Sequence, residues 1–283
     1  MTTFASYDGT RLSYTEVGSG RRLVCLPGGP GRASAYLEDL GGLSADRTLV
    51  LLDGRATGRS EVPADPSSLR FDRLAADVEA LREHLGEERL ALLGHSAGTV
   101  VAQAWAAHHP ERVETLVLVT PSGQLQGSDR SDVPELVAAR ADEPWYADAK
   151  EAYDALADAP PNQQQQLWRV ARPFMYGRWD ERTQAHAATA ETQTSKRAQL
   201  AFAPARPEDV DVPALLAGLR EVTAPVLVIG GERDALTGVA AVHAVAASFP
   251  SAQTVVLPRA GHFPWVDEPD AFADAVRTFL GGD

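Results

Sequence analysis

The stretch Leu92-Leu93-Gly94-His95-Ser96-Ala97-Gly98 constrains this chain more than any other. The run Arg89 to Leu93 reads as a short buried strand, and Thr99 to His109 reads as a helix. Between them Gly-x-Ser-x-Gly leaves room for one tight strand-to-helix turn, with a serine at its apex. A serine held there adopts a strained backbone conformation that projects its hydroxyl clear of the sheet. The two glycines are needed because the turn packs closely and side chains would clash. The helix that follows aims its first N–H groups back at the serine, where they favour developing negative charge.

A serine becomes a nucleophile only with a base and a group that orients the base. Both occur downstream. Ala224 to Asp234 is a β-branched strand and a short loop ending in an acid, and Thr254 to His262 is a strand and a loop ending in histidine. Asp234 also suits an N-cap for a helix over Leu236 to Ala247, a role compatible with catalysis. Ser96, Asp234 and His262 each follow the C-terminal end of a strand, where an open α/β sheet places its crevice. A fourth segment, Leu23 to Gly31, is a buried strand that empties into the loop Pro27-Gly28-Gly29-Pro30-Gly31. Bare backbone in such a loop can approach a substrate and donate N–H groups to an oxyanion. The expected donors are Gly29, with Gly28 as the alternative register, and Ala97, the residue after the serine.

The rest of the chain reads as an α/β protein with one interruption. A hairpin over 2–17 turns at Asp8-Gly9, strands follow at 22–26 and 48–53, and a helix at 71–85. The nucleophile strand and helix come next, then the strand Val113 to Val119. From Gly123 to about Val222 strand alternation stops, in an interval rich in Ala, Gln and charge with a break at Pro160-Pro161. The expected architecture is a mostly parallel sheet flanked by helices, with residues 1–122 and 223–283 as the core domain. Residues 123–222 form a helical lid inserted over the crevice. Trp145, Tyr146, Tyr153, Trp168, Phe174, Tyr176 and Trp179 cluster in that lid, some as its core and some, Trp179 first, as lining for an apolar substrate pocket. Gln163 to Gln166 is expected on an exposed helix face.

Composition narrows the class. A chain of 283 residues with 44% hydrophobic content can bury a large core. No signal-peptide pattern opens it and no apolar run of about 20 residues occurs, so a cytoplasmic location without a membrane partner is expected. The net charge of −13 opposes binding to nucleic acid or an anionic bilayer. Cys25, the single cysteine, excludes an intrachain disulfide and sits in an apolar strand as a small hydrophobe. No metal or cofactor is expected: the adjacent His108-His109 diverge on a helix and suit its C-terminus before Pro110.

These segments carry a resemblance. Pro27-Gly28-Gly29-Pro30-Gly31 resembles the His-Gly-Gly-Pro-Gly loop of the prolyl aminopeptidase (proline iminopeptidase) branch of the α/β-hydrolases. Asp53-Gly54-Arg55-Ala56-Thr57-Gly58-Arg59-Ser60 resembles that branch's Asp-Gln-Arg-Gly-x-Gly-x-Ser segment. Tyr7 to Tyr14 and Gly261 to Pro269 are similar to the wider superfamily, whose triad runs in the same chain order, Ser…Asp…His. The likeness spans about residues 1–122 and 223–283. Pro27, Gly54 and Ala56 depart from the branch's histidine, glutamine and glycine, and His95 and Ala97 stand where it carries glycine and tryptophan.

The resemblance implies the α/β-hydrolase fold and a serine hydrolase acting on an amide or peptide bond beside a free amine. The substrate would be a short peptide or an aminoacylated small molecule. Such a substrate needs a carboxylate in the lid for its ammonium; Glu191 is the first candidate, then Asp180 and Glu181, with Gly28 and Trp179 as further substrate contacts. The same triad also serves carboxylesterases, lactonases and thioesterases, cofactor-free haloperoxidases and carbon–carbon bond hydrolases. A ligand-binding protein that keeps the fold without turnover is the alternative from outside catalysis.

Overall fold

The computed structural model describes residues 2–128, 130–204 and 206–281. Eight strands form one sheet in the order β1-β2-β4-β3-β5-β6-β7-β8. They are β1 (Thr2–Ala5), β2 (Arg11–Val17), β3 (Arg21–Leu26), β4 (Arg47–Asp53), β5 (Leu90–His95), β6 (Val113–Val119), β7 (Val226–Gly231) and β8 (Ala252–Leu257). The hairpin β1–β2 pairs antiparallel at one edge, and every pairing from β4 to β8 is parallel. The central strands bury both faces, which is why they read as continuous apolar runs rather than alternating ones.

The period of two along β3 divides the core between those faces. Val24 and Leu26 join the cluster beneath α1 (Phe71–Leu85) and α2 (Ala97–His108), with Trp105, Leu92 and Leu116. Leu23 and Cys25 face the other way, toward Leu93, Val117, Phe272 and Val276. Burial pushes the Cys25 thiol far up, in keeping with a small hydrophobe.

Between β6 and β7 the chain forms α3 (Val133–Ala138), α4 (Tyr146–Ala155), α5 (Pro161–Ala171), α6 (Glu181–Ala188), α7 (Ala190–Gln193), α8 (Lys196–Ala201) and α9 (Val212–Leu219). Gln163 to Gln166 are exposed on α5. The last helix of the interval belongs with the sheet: Leu215 and Leu219 share the α2 core, and a Cβ on Gly218 would stand 2.4 Å from the Ala107 carbonyl oxygen. Some aromatic residues of the interval build an interior of its own, while Tyr176 and Phe202 join the clusters of the sheet. Trp145, Tyr146 and Tyr153 pack around Phe174 at 5.1 to 5.9 Å, together with Val133 and Val137. After β7 come α10 (Gly238–Ala246), α11 (Pro264–Asp267) and α12 (Pro269–Leu280).

Candidate active site

Ser96 is the hinge between β5 and α2. Its backbone sits at φ 53 and ψ −119, a left-handed strain that a serine adopts only where the surroundings enforce it. The enforcement is visible: its N–H donates to the Val119 carbonyl at 2.9 Å, locking it to β6. Neither flanking glycine has room for a side chain. A Cβ on Gly94 would stand 2.7 Å from the Gly98 carbonyl oxygen, and one on Gly98 would stand 2.5 Å from that of Leu26. α2 can pack against β5 at Gly94 and against the end of β3 at Gly98 only because these Cβ atoms are missing.

Asp234 and His262 converge from the loops after β7 and β8. His262 Nδ1 lies 2.8 Å from Asp234 Oδ2, with the histidine side chain 2% exposed and the aspartate 1%. The Asp234 carboxylate is saturated. Oδ1 accepts from the N–H groups of Leu236 (2.9 Å) and Thr237 (3.2 Å), and Oδ2 also accepts from Thr237 Oγ1 at 2.6 Å. Burial alone would raise its pKa, but His262 and these donors outweigh burial and hold the carboxyl below its ordinary value. Capping and orientation coincide in this one side chain.

The backbone of His262 is tied to the Ser96 turn. Its carbonyl accepts from His95 Nε2 at 2.9 Å and from Thr120 Oγ1 at 3.1 Å, and its N–H donates to Met175 O at 2.7 Å. The His95 and His262 ring centroids are 4.9 Å apart. His95 is fully buried; burial first, and then the neighbouring His262, depress its pKa well below the usual imidazole value, so it is neutral.

The glycine loop closes on the turn from the β3 side. A Cβ on Gly28 would lie 2.8 Å from Ser96 Cβ and 3.2 Å from Ala97 N. The Gly28 N–H is already spent, donating to Tyr36 Oη at 2.7 Å. Among the described residues no acceptor faces the Gly29 N–H, and Ala97, as the first residue of α2, has no intrahelical acceptor for its own. Of the two registers open to this loop, Gly28 has its N–H committed to Tyr36 and Gly29 does not. The loop is also stitched to the inserted helices: Ser195 N–H donates to Gly31 O at 2.8 Å and Ala33 N–H to Gln193 O at 2.9 Å.

Beside this junction lies a cavity lined by Gly28, Ala97, Val101, Leu74, Phe202 and Arg32, among others. Its volume is about 60 Å³. Its wall includes the ion pair of Arg55 with Asp77, in which Arg55 Nε and Nη2 donate at 2.6 to 3.0 Å.

None of Glu191, Trp179, Asp180 and Glu181, the side chains expected to contact substrate, lines the cavity beside Ala97. Glu191 is exposed and already pairs with Arg169 at 2.8 Å and Arg172 at 3.5 Å. Trp179 packs on Tyr176 with centroids 5.4 Å apart and does not line the cavity beside Ala97. Asp180 caps α6, accepting from Thr183 N–H at 3.1 Å, and Glu181 is exposed in its first turn. Conversely Tyr36, Thr120 and Thr237 hold the site together without a signal of their own in the sequence. His95 did carry one, as the residue inside the Gly-His-Ser turn.

Comparison with known proteins agrees with this geometry. The family model described as alpha/beta hydrolase fold matches residues 21–269. A proline iminopeptidase from Heyndrickxia coagulans is 25% identical over 98% of this chain and 97% of its own length. A hydrolase from Pseudomonas aeruginosa superposes with a TM-score of 0.68 at 30% identity, covering 99% and 98% of the two chains. An esterase from a Rhodococcus species does so with a TM-score of 0.68 at 26% identity over 99% and 98%. With its strained serine turn, its sheet order and a model match across most of its length, this chain belongs to the α/β-hydrolase family.

Proposed function

We infer that the protein is a serine hydrolase that cleaves carboxylic esters with a short apolar acyl group by two-step acyl transfer. The observation that carries this reading is the buried His262–Asp234 contact of 2.8 Å beside the strained Ser96 turn. Asp234, acceptor-only when ionised, accepts a hydrogen bond from the Nδ1–H of His262, which keeps the proton on Nδ1 and leaves Nε2 free as a base. His262 then removes the Ser96 proton as Oγ attacks the substrate carbonyl carbon. The resulting oxyanion lies between the Gly29 and Ala97 N–H groups. Collapse expels the alcohol, which takes the proton from His262, and leaves an acyl-Ser96. Water attacks that ester with His262 again as base; breakdown frees the acid and returns the proton to Ser96.

The acyl preference rests on the cavity beside Ala97, walled by Leu26, Leu52, Leu74, Val78, Val101 and Phe202. Among the described residues its one carboxylate is Asp77, which is held by Arg55 rather than free to bind an ammonium. A second reading, hydrolysis of an amide beside a free amine, is favoured by the whole-length similarity to a proline iminopeptidase. Parallel assays with p-nitrophenyl esters of two to eight carbons and with aminoacyl-naphthylamides separate the two. The ester reading expects the highest kcat/KM on a short uncharged ester. It fails if an aminoacyl-naphthylamide is preferred and N-acetylation of that substrate abolishes turnover.

A further inference from the structure

Gly28, Tyr36, His95 and His262 form one continuous hydrogen-bonded path, and the chemistry of its two ends fixes every proton along it. At one end the Gly28 N–H is a donor only, 2.7 Å from Tyr36 Oη. At the other the His262 carbonyl is an acceptor only, 2.9 Å from His95 Nε2. His95 must therefore carry its proton on Nε2, which leaves Nδ1 as an acceptor. Tyr36 Oη lies 2.6 Å from that Nδ1 and donates to it, while accepting from Gly28. Every donor finds an acceptor only in this one arrangement. A protonated His95 would turn an Nδ1–H toward Tyr36 and leave the phenol proton without an acceptor.

The elements joined are those that the acyl-transfer reading uses. Gly28 precedes the proposed oxyanion donor Gly29, His95 precedes Ser96, and His262 supplies the base. We propose that Tyr36 and His95 are positioning residues: a buried relay that turns the Gly28 N–H away from Ser96, presents Gly29 in its place and holds His262 in register with the oxyanion loop. This role rests on the serine-hydrolase reading, but the relay itself is a matter of geometry. Rigid packing supports it: Tyr36 is 1% exposed and His95 1%, and Trp265 and Phe263 lie against the His95 ring with centroids at 4.8 and 5.3 Å. A network this enclosed keeps its geometry, because water cannot replace a lost partner.

Tyr36→Phe keeps the ring and removes both hydrogen bonds of the phenol. The variant should react with a fluorophosphonate probe about 10- to 100-fold more slowly than wild type, and its kcat on p-nitrophenyl butyrate should fall by the same factor with KM within about threefold. A phenylboronic acid, whose tetrahedral adduct places an oxygen in the oxyanion site, should bind more weakly by a similar factor. A merely structural tyrosine predicts a lower melting temperature with the probe rate of the folded enzyme unchanged, and that result overturns the proposal. The second measurement needs no variant. Nitrogen-15 NMR of wild type should find His95 neutral with the proton on Nε2 from pH 5 to 9, and an Nδ1–H tautomer refutes the relay. If wild type does not react with the probe, the hydrolase reading fails while the tautomer still tests the relay.

Discussion

His262 and Asp234, 28 residues apart in sequence, meet with Nδ1 2.8 Å from Oδ2 inside a pocket that solvent barely reaches. The carboxylate has no spare capacity, since three further donors from Leu236 and Thr237 already occupy it. Asp234→Asn should keep these turns folded but present an amide N–H to the imidazole, which favours the wrong tautomer. The expected loss in kcat on a p-nitrophenyl ester is about 10⁴-fold with little change in KM. A loss under about tenfold would mean that Asp234 serves chiefly as a turn residue.

Ser96 carries the covalent prediction. A fluorophosphonate should label the chain once, and Ser96→Ala should abolish both labelling and turnover, with kcat down by about 10⁶. Because φ is 53 at this position, alanine inherits the backbone strain and the melting temperature should change little. Labelling that survives the substitution would place the nucleophile elsewhere.

Much of this site was legible in the sequence because strand-end chemistry is local. Ser96, Asp234 and His262 each follow an apolar run, and β6 occupies Val113–Val119, the range that the periodicity predicts. The inserted helices were less legible. Which of their aromatics face inward depends on helix-to-helix contacts, as when Phe174 gathers Trp145, Tyr146 and Tyr153. Glu191 looked available only because its partners Arg169 and Arg172 lie 22 and 19 positions earlier, beyond any periodic signal. Tyr36 gave no clue, since a tyrosine becomes a relay only through contacts made 59 residues away, at His95.

Asp267 gives the molecule a pH dependence of its own. It is buried in the last turn of α11, and Oδ2 accepts from Gly177 N–H at 2.9 Å and Gly261 N–H at 2.8 Å. Its other oxygen has no close hydrogen-bond partner among the described residues, and burial outweighs the Gly177 and Gly261 donors and the nearby Arg178 and pushes its pKa up to about 6. A carboxyl with a raised folded-state pKa stabilises the fold fully below its unfolded pKa and loses that contribution as pH climbs through the folded value. Stability from this group should therefore decline between about pH 4 and pH 6 and stay low above. Asp267→Asn removes the ionisation. Relative to wild type its stability should rise by about 1–3 kcal/mol between pH 4 and pH 7, read by urea denaturation. A difference independent of pH would show that Asp267 stays ionised throughout.

Arg55 and Asp77 form a buried pair, side chains 0% and 3% exposed, with Asp8 as a second carboxylate on Arg55. Removing the arginine strands Asp77, whose pKa burial already raises. Arg55→Met should cost about 3–5 kcal/mol in chemical denaturation. Arg55→Met with Asp77→Leu should cost less than the two single changes combined, since no charge is then left unpaired. Additive losses would mean that the two side chains act independently.

Glu191 separates the ester reading from its rival. Its carboxylate is 35% exposed and held by Arg169 and Arg172. Ion pairs so open to solvent contribute at most about 1 kcal/mol, so Glu191→Gln should barely change stability. A role confined to these pairs also predicts that kcat/KM for esters and for aminoacyl-naphthylamides stays within about threefold of wild type. An ammonium anchor predicts something different. Losing a charge-assisted hydrogen bond to a bound ammonium costs about 1.5–3 kcal/mol, or roughly 10- to 150-fold, and only for substrates that carry the charge. Selective damage to aminoacyl substrates at that scale would return Glu191 to the site and give the amine-reading hydrolase the lead. Equal, small effects on both substrates leave Glu191 as a surface ion-pair residue and the cavity beside Ala97 as the element that sets selectivity.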